Sequence, residues 1–69
     1  MKITYDKKAD AIYIYMRGTK VAKTVPVNEN IIVDLDRMGN LIGIEILAAS
    51  RQVSKKSMNN FELNSLVFA

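Results

Sequence analysis

The sequence predicts a small α+β domain that is mainly β: a five-stranded antiparallel meander with a short helix near the C-terminus. Five short segments alternate apolar and polar residues, which is typical of half-buried strands. Only a few residues separate these segments, too few for the crossover helices that join parallel strands. The alternation ends near Leu47. We therefore expect one domain over residues 1–69, with a sheet core over 2–48 and a short helix or docked tail over 50–69.

The first two strands are predicted at Met1–Tyr5 and Ala11–Met16. The second strand has apolar side chains on one face and tyrosines on the other: Ile12, Ile14 and Met16 opposite Tyr13 and Tyr15. The two tyrosines either flank the core, line a subunit interface or form a platform for a ligand. Asp6 begins the connection between the strands, where its side chain is expected to accept backbone hydrogen bonds in an Asx turn.

The third strand is predicted at Val21–Val27, after a turn that contains Gly18. This strand includes Pro26, which has no N–H group to donate to a neighbouring strand. We therefore expect the third strand at an edge of the sheet, or paired on one side only near its end.

The fourth and fifth strands form a hairpin over Ile31–Leu47, which is the centre of the predicted fold. An even loop with Asp36 opposite Leu41 puts two apolar triplets on one face: Ile31, Val33 and Leu35 with Ile42, Ile44 and Ile46. A three-residue loop would mix apolar and charged residues on both faces. Gly39 in the loop supplies the positive φ that a tight turn requires.

The segment after the fifth strand is predicted to begin with a short helix. Ser50 is a candidate N-cap for this helix over Arg51–Ser57, although the serines lower its helix propensity. The tail Phe61–Ala69 ends in the apolar cluster Leu66–Phe68. We expect the tail to form a last short strand, or to pack on the sheet or on a neighbouring subunit, because so much apolar surface rarely stays exposed.

Composition excludes several kinds of site. The chain contains neither cysteine nor histidine, which removes thiolate and imidazole ligands and the commonest general base. No apolar run approaches the roughly 20 residues of a transmembrane helix, and the N-terminus lacks the apolar stretch of a signal peptide. We therefore expect a cytoplasmic protein with no membrane contact and no cofactor. Because so small a chain buries little surface, we also expect a homo-oligomer.

The net charge of +3 is unevenly distributed along the chain. Acidic residues concentrate between residues 28 and 49, and most basic residues lie outside that window. The basic cluster of Arg51, Lys55 and Lys56 is a candidate nucleic-acid contact, but the interleaved aromatic and glycine residues of a dedicated binder are missing. The alternative is a solvated surface, whose lysines discourage pairing between strand edges.

The candidate functional site is the polar face of the central hairpin. In the predicted register, carboxylates surround Gly43, which leaves space above the sheet: Asp34, Asp36 and Glu45, with Asp10 nearby. We interpret them as a solvated face that pairs with Lys or Arg across strands, as a partner-binding patch, or as ligands for Mg²⁺ or Ca²⁺. The first interpretation is favoured and no metal site is predicted. The sequence offers no Ser/His/Asp or Cys/His arrangement and no phosphate-binding loop, so catalysis is not expected.

Several segments resemble a family of small prokaryotic domains of unknown function: Tyr5–Ile14, Ile32–Asp36, Gly39–Asn40 and Gly43–Leu47 with Ser50. The resemblance covers residues 3–50, and the polar positions of the family pattern correspond to Asp6, Asp10, Asp34, Asp36, Glu45 and Ser50. It implies a compact, mainly β fold with a small helical element and no established enzymatic activity. Some members are similar to presumed antitoxins, which pair with a small toxin-like partner.

We therefore predict a non-catalytic protein-interaction or regulatory module, antitoxin-like in its narrower form, that self-associates and contacts a small protein partner. The candidate contact residues carry carboxyl or phenol groups: Asp10, Asp34, Glu45, Tyr13 and Tyr15. The first alternative is a nucleic-acid-binding accessory protein that uses Arg51, Lys55 and Lys56. The second is a divalent-metal-dependent enzyme.

Overall fold

A computed structural model of the chain describes residues 1–64, with side chains through residue 60. This part of the chain forms the following elements: β1 (Lys2–Asp6), β2 (Ala11–Tyr15), β3 (Lys23–Pro26), β4 (Ile31–Leu35), β5 (Leu41–Ile46), α1 (Ala49–Gln52) and α2 (Lys55–Asn64). The mainly β, α+β fold class is confirmed, with two short helices where the sequence predicted one. No helix within residues 1–64 is long and apolar enough to cross a membrane.

The strands form one antiparallel sheet in the order β1-β2-β5-β4-β3. The antiparallel sheet is confirmed, but the meander is wrong at one place, because β2 pairs with β5 and not with β3. The connection over residues 16–22 passes the ends of β5 and β4 before β3 begins at the far edge. We call it the crossover connection. Its reach of roughly 23 Å exceeds the three strand spacings of about 4.8 Å that it has to cross.

The strand order follows from the residues that each strand carries. β5 is rich in isoleucine and pairs on both sides, and Ile42 within it is only 3% exposed. β3 contains Pro26 and mostly exposed side chains, and it lies at an edge of the described sheet, as predicted. A meander would place β3 in the centre, where Pro26 would leave one neighbouring strand without a hydrogen-bond donor.

The β4–β5 hairpin has the predicted register over most of its length. The paired residues are Ile31–Ile46, Ile32–Glu45, Val33–Ile44 and Asp34–Gly43. The register then shifts by one residue, so that Leu35 faces Leu41 and the predicted pair of Asp36 with Leu41 is wrong. The turn explains the shift, because Asp36 Oδ1 accepts a hydrogen bond from the backbone N–H of Asn40 at 2.8 Å. Gly39 has the predicted positive φ, at 87°.

Both helices lie on the face of the sheet that carries the isoleucines of β2. Ile12, Ala49 and Met58 form a buried cluster. Partly buried residues from the sheet and the helices pack against it: Ile3, Tyr5, Ile14, Ile46 and Val53. The core therefore joins α1 and α2 to β1, β2 and β5.

The predictions for the C-terminal segment need correction. Ser50 lies inside α1 and does not cap it, because the helix begins at Ala49, whose N–H donates to the main-chain oxygen of Asp10 at 2.8 Å. Of the alternatives for the tail, the short strand is wrong for Phe61–Asn64, because these residues continue α2. The short alternation there does not override the helix that precedes it. Residues 65–69, the rest of the predicted tail, lie outside the described residues.

Candidate functional site

Four of the five predicted contact residues lie on one face of the sheet. Tyr13 pairs with Glu45, and Tyr15 lies opposite Gly43, which pairs in turn with Asp34 on β4. Because side chains alternate along a strand, these residues point away from the isoleucines of β2 and from the described helices. We call this surface the tyrosine–carboxylate face and define it by Tyr13, Tyr15, Asp34 and Glu45.

Two hydroxyl groups hold Asp34 in the middle of this face. The Tyr13 hydroxyl donates to Asp34 Oδ2 at 2.5 Å, and Thr24 Oγ1 donates to Asp34 Oδ1 at 2.8 Å. To reach Asp34, the Tyr13 ring crosses β5 above Gly43, where an ideal Cβ would lie 2.6 Å from Tyr13 Cζ. Any other residue at position 43 would displace the ring. The hydrogen bonds therefore link β2, β4 and β3 across the sheet.

The Tyr13 hydroxyl is a persistent hydrogen-bond donor. Burial raises the pKa of Tyr13 well above the ordinary value of 10, and the hydrogen bond to Asp34 raises it further. A phenol that keeps its proton at neutral pH cannot act as a general base there. The Tyr13 hydroxyl is therefore a hydrogen-bond donor that holds the Asp34 carboxylate in place.

Tyr15 presents the exposed part of the aromatic surface. The residue is 43% exposed, and its ring centroid lies 4.4 Å from that of Tyr13, with the ring planes at 51°. Lys2 Nζ lies 5.5 Å from the Tyr15 ring centroid, within range of a cation–π interaction. The two rings and this cation form a continuous amphipathic surface that suits contact with another molecule.

Asp10, the fifth predicted contact residue, belongs to a separate cluster that we call the Asp10 latch: Tyr5, Asp10 and Ser50. Asp10 Oδ1 accepts hydrogen bonds from the Tyr5 hydroxyl at 2.8 Å and from the Ser50 N–H at 3.1 Å. Asp10 Oδ2 accepts from Ser50 Oγ at 2.7 Å. These donors, the Ser50 hydroxyl first among them, hold the pKa of Asp10 below its ordinary value.

The Asp10 latch replaces an ordinary helix cap. The N-cap position of α1 is Ala48, which has a φ of 50° and no side-chain hydrogen bond to the helix. Asp10 supplies the missing carboxylate, and its own φ of 52° lies in the left-handed region that aspartate tolerates better than most residues. The signal available in the sequence was the family pattern, which contains both Asp10 and Ser50.

Asp36, which the sequence placed on the acidic face, lies in the hairpin loop. The N–H of Asn40 lowers the pKa of Asp36, and Arg17 Nη1 lies 3.7 Å from Asp36 Oδ2. The carboxylates of the tyrosine–carboxylate face are therefore Asp34 and Glu45. Among the described residues, no group of three or more carboxylates is close enough to hold a metal ion. Asp6 makes the predicted Asx turn, with its Oδ1 3.0 Å from the N–H of Lys8.

The basic candidate residues lie on the helices, away from the tyrosine–carboxylate face. Arg51 is in the last turn of α1, while Lys55 and Lys56 begin α2, and all three are exposed. Lys55 also lines a shallow depression of about 520 Å³ together with Lys7, beside Tyr5 and Ser50 of the Asp10 latch. The depression therefore brings basic residues from two separate segments together.

Sequence reasoning missed a groove of about 470 Å³ at one end of the sheet. Residues 19–22 of the crossover connection line one side, and residues 36–38 of the hairpin loop line the other. We call it the end groove. It exists because the crossover connection runs past the hairpin loop, a contact that the predicted meander did not contain.

Comparisons with known proteins identify the family. The model of a family described as "Protein of unknown function (DUF2283)" matches residues 2–50. An uncharacterised protein of Methanocaldococcus jannaschii is 41% identical over 51 residues, which cover 74% of this chain and 43% of that protein. The chain thus spans less than half the length of that relative, and no solved structure matches it. The predicted resemblance to a family of small domains of unknown function is confirmed, and the chain belongs to the family DUF2283.

Proposed function

We propose that this domain is a non-catalytic interaction module and that the tyrosine–carboxylate face is its contact surface. The observation that carries the proposal is the position of the predicted contact residues Tyr13, Tyr15, Asp34 and Glu45 on one face, away from the described helices. Tyrosine combines a large apolar ring with a polar tip and is enriched where partners bind most strongly. This composition supports a protein partner.

The order of the face before binding also supports the proposal. Tyr13 is fixed by Asp34, and Tyr15 lies against Tyr13. Side chains that are already ordered lose less entropy when a partner arrives, so more of the contact energy appears as affinity. Glu45 is half-buried beside the rings and adds a negative charge, which favours a partner with a lysine or arginine opposite it.

The non-catalytic part of the proposal is supported by the hydrogen bonds of the polar groups. Tyr13 keeps its proton, and Asp34 already accepts hydrogen bonds from Tyr13 and Thr24. The Asp10 carboxylate accepts from Tyr5 and Ser50. These carboxylates have structural partners, which leaves them poorly placed to move a proton to or from a substrate.

A second copy of the chain is the partner that we propose first, and a small protein, as in an antitoxin-like pair, is the second. The buried cluster of Ile12, Ala49 and Met58 is small, and association is a common way in which small domains gain burial. Sedimentation velocity of the purified full chain tests the first partner. We expect a wild-type dimer and a Glu45→Lys monomer.

The matched control for this experiment is Glu29→Lys, which makes the same charge change on an exposed loop residue outside the face. We expect Glu29→Lys to remain dimeric. A wild-type monomer at every concentration would remove the second copy as a partner. If the dimer persists in both Glu45→Lys and Tyr15→Ser, the contact surface is not the tyrosine–carboxylate face.

A photo-crosslinking amino acid at position 15 tests for the small protein partner in lysate of the source organism, with the same label at position 8 as the control. A protein captured from position 15 is then purified and mixed with the chain. Binding that is reconstituted with wild type and lost in Glu45→Lys supports the proposal. Identical adducts from both positions contradict it.

Nucleic-acid binding is the alternative function, and it is supported by the approach of Lys7 to Lys55 in one depression. Arg51 and Lys56 extend this basic region along the helices. Phosphate contacts make affinity fall steeply with salt. Binding of a labelled oligonucleotide that weakens with added salt and is lost in Arg51→Glu/Lys55→Glu would favour this function. Binding that is unchanged in the variant would exclude these residues.

A further inference from the structure

The end groove exposes apolar side chains to solvent. Met38 at its rim is 79% exposed and Val21 is 42% exposed. Clustered exposed apolar residues, and methionine in particular, are typical of surfaces that bind other proteins.

The charges around the end groove have one dominant sign. Lys20 and Arg37 line it, and Arg17 lies beside it with a side chain that is 51% exposed. The acidic residue among the described lining residues is Asp36, whose carboxylate is already engaged by Asn40 and Arg17. A molecule in the groove would therefore meet apolar surface surrounded by positive charge.

Backbone hydrogen bonds fix both walls of the end groove. The crossover connection is tied to the sheet through the N–H of Met16 to the carbonyl of Ile42 at 2.7 Å and through the N–H of Ala22 to the carbonyl of Leu35 at 2.9 Å. The hairpin loop is closed by the N–H of Gly39 on the carbonyl of Asp36 at 3.0 Å. The groove is thus formed before any ligand binds, which lowers the entropy that binding costs.

We propose that the end groove is a second binding surface and that its occupant is a segment of a partner protein in which carboxylates flank an apolar side chain. The apolar residue would lie against Val21 and Met38, and the carboxylates would pair with Lys20 and Arg37. Charge complementarity of this kind gives specificity and accelerates association. The proposal is independent of the proposed function, since none of the four residues that define the tyrosine–carboxylate face lines the groove.

A display library of random dodecapeptides, panned against the full chain, tests the proposal. We expect the enriched peptides to share an apolar residue flanked by Asp or Glu. A synthetic copy should bind the variant Lys20→Glu/Arg37→Glu at least about tenfold more weakly than wild type. A copy with lysine in place of its carboxylates should bind that variant better than it binds wild type, because both sets of charges are then reversed.

The matched control is Lys7→Glu/Lys8→Glu, which makes the same change in net charge on the β1–β2 loop at the opposite end of the sheet. We expect this control to keep the wild-type affinity within about twofold, since exposed charges at that distance are largely screened by salt. Thermal melting checks that both variants fold. An equal loss of peptide affinity in the variant and in the control would show that the peptide responds to net charge alone, and it would overturn the proposal.

Methyl resonances of wild type give a readout that needs no folded variant. Adding the enriched peptide should shift the resonance of Met38 in the end groove and leave that of Met58, which is 8% exposed in the core, unchanged. Enriched peptides without carboxylates, or no enrichment, would overturn the proposal. Binding to phosphatidylglycerol vesicles but to no peptide would assign the groove to lipid and also overturn it.

Discussion

Gly43 and Tyr13 depend on each other, because the tyrosine ring occupies the space in which another residue at position 43 would carry its Cβ. The sequence indicated the role of the glycine but not the ring that lies above it. A glycine within a strand often marks the close approach of another group, and we expected open space above Gly43. The ring that fills the space could not be predicted, because it comes from β2, and the predicted meander did not pair β2 with β5.

Gly43→Ala tests this relation. The new Cβ would collide with the Tyr13 ring, so we expect the free energy of unfolding to fall by about 1–3 kcal/mol, measured by urea denaturation. Gly18→Ala is the control, since no atom lies within 4 Å of its added Cβ, and its effect should stay within about 0.5 kcal/mol. In a Tyr13→Ala background the cost of Gly43→Ala should largely disappear. An equal cost in both backgrounds would contradict the collision.

The raised pKa of Tyr13 makes stability depend on pH in the alkaline range. The folded state holds this proton more tightly than the unfolded state, so the contribution is complete below the unfolded pKa of about 10 and is lost as pH rises further. We expect the unfolding free energy of wild type to fall more steeply above about pH 10 than that of Tyr13→Phe. Urea denaturation at a series of pH values measures the difference, and parallel curves would contradict it.

Local sequence patterns predict the elements that form between neighbouring residues. They do not predict contacts between elements that are distant in the sequence. The β4–β5 register was predictable because a slip of one residue would have mixed apolar and charged residues on both faces. The start of α1 was not predictable, because the carboxylate that caps it belongs to Asp10, which lies 40 residues before Ser50 in the sequence. Only the pairing of β2 with β5 brings the two together.

Replacement of Asp10 should release α1 without unfolding the sheet. Asp10→Asn keeps a residue that tolerates positive φ but removes the charge that the Ser50 donors favour. We expect faster amide hydrogen exchange at Ser50 in this variant, measured by NMR. Met58 lies in α2, and its amide donates to the carbonyl of Ser54 at 2.9 Å. This amide should stay protected. Equal acceleration at both amides would mean that the variant loosens the whole domain.

The Asp10 latch should also weaken in acid. A lowered pKa means that the ionised carboxylate is favoured in the folded state, so its contribution is present above the unfolded pKa of about 3.8. The contribution is lost as pH falls through the lower folded value. We expect protection of the Ser50 amide to fall in this range in wild type, with no corresponding step in Asp10→Asn. A step of the same size in the variant would assign the effect to another group.

At the scale of the whole molecule, the described sheet presents different surfaces on its two faces, at its end and at its edge. The helices lie on one face, the tyrosine–carboxylate face is opposite, and the end groove lies where the crossover connection meets the hairpin loop. The covered face was predictable from alternation alone. The end groove was not, since it depends on strand order, which local alternation does not determine.

We expect Pro26 to protect this edge of the described sheet from self-pairing. The N–H of Val27 donates to the carbonyl of Ile31 at 2.8 Å, so the alternation of the backbone directs position 26 outward from the sheet. Pro26→Val would give this edge a donor. We expect increased light scattering on mild heating, with the native circular dichroism spectrum retained before heating. Scattering equal to that of wild type would show that the edge is protected by other means.

The crossover connection also governs how the chain assembles. Most strand pairs join strands that are neighbours in sequence, so that only short loops have to close: β1 with β2, β3 with β4, and β4 with β5. The β2–β5 ladder pairs Ile12 with Ile46, about half the chain away. Contacts between such distant residues slow folding, because a long loop must close before they form. We therefore expect the rate at which β5 meets β2 to limit how fast the domain becomes one cooperative unit.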